Sequence, residues 1–219
     1  MRALVAAAAL LLAGCFDQGQ EFQQLAPPSL PPGAVAVLAG PPDDVFPLQA
    51  GARYDYAAKF GLGGNGPFTG AAAFSVVGAW RVGERTIARV GVQSTYFGRT
   101  RRDIYVFTRE AGWIGLFEKD PPDKVTLFMP TRLEGHGPWD VATGEGTGRA
   151  EVEATEAVTV PAGTFAGCKR IRYRNEGVQT TMTLWMAPRV GLVQADVAMQ
   201  IGPVPLNGRL QLAHVVRPH

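Results

Sequence analysis

The chain has little of what catalytic and metal sites are commonly made from. Among 219 residues there are 2 cysteines and 3 histidines. His136, His214 and His219 are scattered, and none has a second ligand at the spacing a zinc site uses. No metal and no other cofactor is expected. The serines are Ser29, Ser75 and Ser94, and none stands in a G-x-S-x-G elbow. Charge of one sign is not in excess: 21 basic side chains face 19 acidic ones, which gives no global pull toward nucleic acid. After residue 14 no apolar stripe of period 3.6 runs for the length of a helix, which excludes a helical bundle. Nor does any later apolar run suffice to span a bilayer as a helix.

What is present begins at the N-terminus. Met1-Arg2 is a minimal basic start, and "ALVAAAALLLA" (Ala3 to Ala13) has the length of a signal-peptide core. "LAGC" (Leu12 to Cys15) closes it with small residues and a cysteine. This resembles the lipobox of bacterial lipoproteins. The resemblance implies cleavage after Gly14, a thioether-linked diacylglycerol on Cys15 and acylation of the new amino group. The alternative is an ordinary secretory signal with a chance cysteine. Two or three acyl chains anchor a protein stably, whereas one does so only marginally. With Cys15 lipidated, Cys168 has no partner and a disulfide framework is excluded. Phe16, rather than aspartate, follows the cysteine. By resemblance to Gram-negative lipoproteins, this favours the outer membrane, facing the periplasm.

From about Asp17 to Asp44 the chain reads as a disordered tether. "LAPPSLPPGAVAVLAGPPDD" carries three Pro-Pro pairs, and proline prefers extended polyproline II. The competing reading makes "AVAVLA" (Ala34 to Ala39) an edge strand. Beyond the tether, periodicity is two. In "RYDYAAKF", Tyr54, Tyr56, Ala58 and Phe60 oppose Arg53, Asp55 and Lys59. Phe68, Ala72, Phe74, Val76 and Trp80 align on one face of the next run, and Ala88, Val90, Val92 and Tyr96 on that of the third. Eight further β-like runs follow. Strict alternation is the signature of half-buried antiparallel strands. The expected fold is all-β: one antiparallel curled sheet forming an open or half barrel, or a sandwich, behind an N-terminal signal helix. The expected division is 1–14 signal peptide, 15–44 lipidated tether and 45–219 a single β domain.

"GLGGNG" (Gly61 to Gly66) has the spacing of a dinucleotide fingerprint, but Pro67 and a strand follow where a helix is required. It reads as a hairpin loop. In "VTVPAGTFAGC" (Val158 to Cys168), Pro161 presets φ for a type I turn and Gly163 accepts the left-handed conformation of a G1 bulge. Cys168 falls out of phase with Ile171 and Tyr173. Unless a bulge intervenes, it faces the other side of the sheet.

The same segment resembles a family of uncharacterised bacterial envelope β-domains with the pattern V-P-A-G-T-F, then a strand, then W-x-A-P-G-V-G-L-V. Here the pattern stands as "VPAGTF" (Val160 to Phe165) and "WMAPRVGLV" (Trp185 to Val193), with "PLQAGARYDY" (Pro47 to Tyr56) as a weaker third feature. The resemblance implies a curved all-β domain with structural turns at Pro161, Gly163, Pro188 and Gly191. Arg189 departs from the family's glycine and favours a type I turn over type II. Tyr54 replaces a tryptophan.

The function expected is non-catalytic: a periplasmic protein, anchored to the membrane through Cys15, that binds an apolar or acyl-bearing envelope component in a curved groove. Tyr54, Tyr56, Phe74, Trp80 and Tyr96 are the candidate lining. Arg99, Arg101 and Arg102, read as one loop, are candidate headgroup contacts, since guanidinium forks suit phosphate. The alternative is a structural or assembly lipoprotein working through protein contacts, with a filled interior. A third reading is a hydrolase using Cys168, or the carboxylates Glu151 and Glu153. An envelope protein is a possible partner, nucleic acid is not, and oligomeric state is not legible.

Overall fold

A computed structural model describes residues 34–37, 45–117, 125–143 and 146–217. The signal sequence, Cys15 and most of the tether lie outside the described residues. The strands in chain order are β1 (Val35–Ala36), β2 (Arg53–Leu62), β3 (Asn65–Val82), β4 (Arg85–Tyr96), β5 (Arg99–Glu110), β6 (Trp113–Phe117) and β7 (Val125–Pro130). There follow β8 (Trp139–Thr143), β9 (Gly146–Val160), β10 (Gly163–Asn175), β11 (Thr180–Ala187), β12 (Gly191–Ile201) and β13 (Val204–Val216). No helix occurs among the described residues.

All pairings are antiparallel. In the order β7-β6-β5-β4-β3-β2-β13-β12-β11-β10-β9-β8, adjacent strands are consecutive in sequence except at one place, where β2 pairs with β13. The sheet is therefore two meanders zipped together where the chain starts and ends its long strands. Its two edges, β7 and β8, are themselves consecutive and meet through a side chain: the Trp139 indole N–H donates to the Phe128 carbonyl at 2.9 Å. The result is nearly a closed barrel, the all-β architecture that alternation implies.

Alternation also decides the interior. Tyr54, Tyr56, Ala58 and Phe60 of β2 point inward with Ala88, Val90, Val92 and Tyr96 of β4, and Ile171, Tyr173, Met182, Leu184, Leu210 and Leu212 meet them from the other half. These belong to one continuous apolar core. The chain before β2 adds a stopper. Val45, Leu48 and Ala52 are buried, and Phe46 packs on Phe107 and Phe128 at ring distances of 5.2 and 5.9 Å. Arg109 clamps this segment by donating from Nη2 to the Phe46 carbonyl at 3.0 Å.

Two expectations about the chain's path need correction. Val35 and Ala36, assigned to the tether, pair with Arg81 and Trp80 of β3. The edge-strand reading holds for Val35 and Ala36, because β2 begins only at Arg53 and leaves the end of β3 open to a partner; Leu38 and Ala39 lie outside the described residues. The turn at Pro188 also differs. Val190 N–H donates to the Ala187 carbonyl at 3.2 Å, and Arg189 has φ of +62°. A positive φ at the third turn residue belongs to type II geometry rather than type I. Tertiary packing overrides the local preference: Val190 is buried, and a Cβ on Gly191 would lie 3.2 Å from Pro47 of the stopper.

Candidate functional site

The inward aromatics were the first candidates. Tyr54, Tyr56 and Tyr96 are buried in the core and Phe74 packs against it. Tyr56 and Phe74 meet edge to face at 5.5 Å. The Tyr96 ring lies flat over Gly70, where a Cβ would stand 2.3 Å from it. These side chains fill the concave face with one another. Two depressions in the described surface, of about 440 and 390 Å³, are lined by other residues. The larger is an open hollow around Lys59, Pro67, Thr183, Asp196 and Arg209, and the smaller lies at the β10–β11 turn.

Trp80 does not share the face of Phe74 and Val76. The β3–β4 register slips between Val76 and Gly78, and the extra residue turns the following side chains over. Ala79 is buried in the core, while Trp80 lies outside and covers Gly78, whose Cβ would come within 2.3 Å of the indole. A bulge residue costs one position of phase, which no alternation rule can anticipate.

The arginines lie on β5, not in a loop. Arg99 and Arg101 sit opposite Tyr96 and Ser94 on the inner side, and Arg102 opposite Gln93 on the outer. Arg101 Nε donates to Asp103 Oδ2 at 2.8 Å, and Arg102 Nε to the Gln93 amide oxygen at 3.2 Å. They therefore do not form a single cationic cluster.

Cys168 is fully buried. A register shift just before it, between Phe165 and Cys168, sets it opposite Glu156, and β10 then runs on to Ile171 and Tyr173 with no residue inserted, so the offset read from sequence is kept. The thiol donates to the Phe165 carbonyl at 3.3 Å, and burial pushes its pKa up, away from the thiolate a nucleophile needs. His214 stands 3.7 Å from Asp55, and His136 packs between Trp113 and Trp139. Glu153 does not face a cleft with Glu151; it pairs with Arg170 and Arg172, each at 3.3 Å. Among the described residues no group of three or more histidine, cysteine or acidic side chains stands close enough to hold a metal ion.

Gly163 has φ of +126°, a conformation side chains resist, and Gly63 and Gly64 in the "GLGGNG" hairpin have φ of +58° and +82°, as a type I′ turn requires. The tip of the β9–β10 hairpin also makes a contact no local pattern reveals: Ala162 N–H donates to the Leu212 carbonyl of β13 at 3.0 Å.

The two outer faces differ in kind. Over β9 to β13 the outward side chains form charge ladders: Arg170 with Glu153 and Glu156, and Arg209 gripping Asp196 through two bonds of 2.6 Å. Trp185 caps the first ladder, donating to Glu156 at 2.6 Å. Over β3 to β7 a row of the corresponding positions carries no charge. Trp80 is opposite Ile87, Ile87 opposite Thr108, Thr108 opposite Gly115, and Gly115 opposite Leu127. Beside this row, Val106 pairs with Arg89 and Ile104 with Gly91. Val77, bulged outward, is 63% exposed, and Leu127 is 39% exposed. Sequence reading passed over this band. Its signal was present: "DIYVFTR" is apolar at consecutive positions, so both faces of that strand carry oil.

These features define a nearly closed, antiparallel, barrel-like β fold with an occupied interior. Two solved structures share it. One is from Bacteroides fragilis, a predicted exported protein described as having a YmcC-like fold: TM-score 0.54 and 14% identity, over 80% of this chain and 100% of that one. The other is a predicted lipoprotein of Parabacteroides distasonis: TM-score 0.53 and 14% identity, over 81% of this chain and 100% of that one. No family profile matches the sequence, and neither does any curated protein.

Proposed function

We propose that this is a lipid-anchored protein of the bacterial envelope that performs no catalysis and acts through its outer surface, as a structural or assembly lipoprotein. The observation carrying this reading is the occupied interior. The aromatic side chains that would have lined an acyl groove are packed against one another instead, and a hydrocarbon chain entering there would have to displace a close-packed core. The anchor is supported by Leu12 to Cys15 and by likeness of fold to proteins predicted to be exported or lipid-modified. Burial of Cys168 and the pairing of Glu153 with arginines argue against the hydrolase reading.

Native mass spectrometry of the full chain tests this, with fatty acid and phospholipid titrations. The expected result is no stoichiometric lipid beyond the covalent anchor. Saturable uptake of an acyl compound by folded protein, abolished by Phe74→Asp without loss of fold, would restore the groove reading.

A further inference from the structure

We propose that the outer apolar band of β3 to β7 is a docking face for the surface of the bilayer in which the chain is anchored. The proposal rests on the anchor reading of Cys15 and adds how the body sits once tethered.

Three observations carry it. The first is composition. On one outward face Val77 and Leu127 are exposed and Trp80, Ile87 and Ile104 half-buried, with Val106 buried among them, whereas the outward face of the other half carries the paired charges of Arg170 with Glu153 and Arg209 with Asp196. A contiguous exposed apolar patch rimmed by polar residues marks an interaction site.

The second is electrostatic. Arg89 stands within the band with a buried Nε that has no hydrogen-bond partner, and Arg102, at its border, is held by an amide rather than a carboxylate. Arg85 is neutralised by Glu110, and Glu84 in the adjoining turn opposes the trend. Apolar side chains, one tryptophan and arginines on a single face match the boundary between acyl chains and anionic headgroups.

The third is where the chain enters. β1 pairs beside Trp80 and Arg81, and Val35 is 57% exposed there. The residues from Cys15 to Gly33 lead to this corner, and 19 residues fully extended span at most about 65 Å. The band is thus joined to the anchor at its own margin. Tethering at that range gives an effective concentration on the order of millimolar, so even weak docking becomes populated. Burying a few partly exposed side chains is enough under that condition. A protein partner would have to find the band in competition with a bilayer always at hand.

The test uses the full chain as the cell matures it, reconstituted into vesicles of phosphatidylethanolamine and phosphatidylglycerol doped with bromolipid. Tryptophan fluorescence should be quenched, and the quenching should be lost in Trp80→Phe. The variant Val77→Asp with Leu127→Asp should lose it too, while keeping native circular dichroism. Both sites are exposed, so folding should persist; were that variant unfolded, Arg89→Gln and Arg102→Gln together should weaken quenching and remove its salt dependence. Mass spectrometry of the same sample reports acylation of Cys15 separately. An unacylated Cys15 refutes the anchor, and added vesicles then still test the band. Folded, acylated protein without Trp80-dependent quenching overturns the proposal. So does protection of β3 to β5 from hydrogen exchange in native membranes but not in pure-lipid vesicles, which would assign the band to a protein.

Discussion

The Tyr56 hydroxyl donates to the backbone carbonyl of Leu192 at 2.9 Å, joining residues 136 positions apart. Tyr56 is on β2 and Leu192 on β12, with β13 between them in the sheet. The bond therefore staples three adjacent strands at the seam where the two meanders meet. Burial pushes the phenol pKa well above its usual value.

Tyr56→Phe should lower stability by about 1 kcal/mol, the net worth of a typical hydrogen bond, with more if the Leu192 carbonyl is left dry. A pH signature should accompany it. In the unfolded chain the phenol ionises near pH 10, while in the folded protein it stays protonated. Stability linked to this group is thus complete below about pH 10 and falls as pH rises beyond it. Urea melts at neutral and strongly alkaline pH should show a steeper alkaline loss in the wild type than in the variant. Equal slopes would mean that Tyr56 is not shielded as described.

Glycine positions separate two kinds of constraint. Gly148 faces Tyr173, and an added Cβ would lie 2.3 Å from that ring. Tyr173 is fully buried, so Gly148→Ala should cost roughly 1–3 kcal/mol through overpacking. At Gly163 there is open space but a φ of +126°. Gly163→Val should cost about 1–3 kcal/mol through backbone strain alone. Pro161→Ala should cost less, because only a preset φ is lost. Chemical denaturation ranks all three, and a Pro161 variant less stable than the Gly163 variant would refute the turn geometry.

Cys168 should be inert to a thiol reagent such as a water-soluble aromatic disulfide while the protein is folded. The thiol should react on addition of denaturant, because both its burial and its raised pKa are properties of the folded state. Fast modification of native protein, with a pH profile centred below that of a free thiol, would reopen the nucleophile reading.

Cys15→Ala should leave the protein unlipidated and largely missing from the membrane fraction. Metabolic acyl labelling and fractionation of cells measure this directly. Undiminished labelling would mean that the lipid is carried elsewhere.

Alternation made much of the fold legible. Each inward residue named on β2 and β4 is inward, because a half-buried strand must put its apolar side chains on one face. What alternation could not supply is the place where its own count breaks. Val77 adds one residue to β3 and sends Trp80 to the outside. Bulges depend on how two strands twist against each other, which is a property of the pair rather than of either sequence. The turns at Gly63 and Gly163 were legible because positive φ nearly demands glycine. Arg189 was not, since the stopper segment from Val45 to Leu48 holds that turn from outside. The outer band is not legible from alternation, which names one buried face per strand, whereas β4 and β5 put apolar side chains such as Ile87 and Ile104 on the other face as well.

The pairing of β2 with β13 sets an order of events. β2 is complete once residue 62 has emerged, yet one of its edges has no partner until β13 arrives some 140 positions later. A contact at such separation forms late and slowly, because the intervening chain must be brought round before it is rewarded. During synthesis the first meander can assemble from β2 onward, but the seam must wait. The barrel thus closes only once the last strand is present. A truncation that removes β13 should leave not a smaller barrel but an exposed edge along β2, the kind of edge that other chains add to.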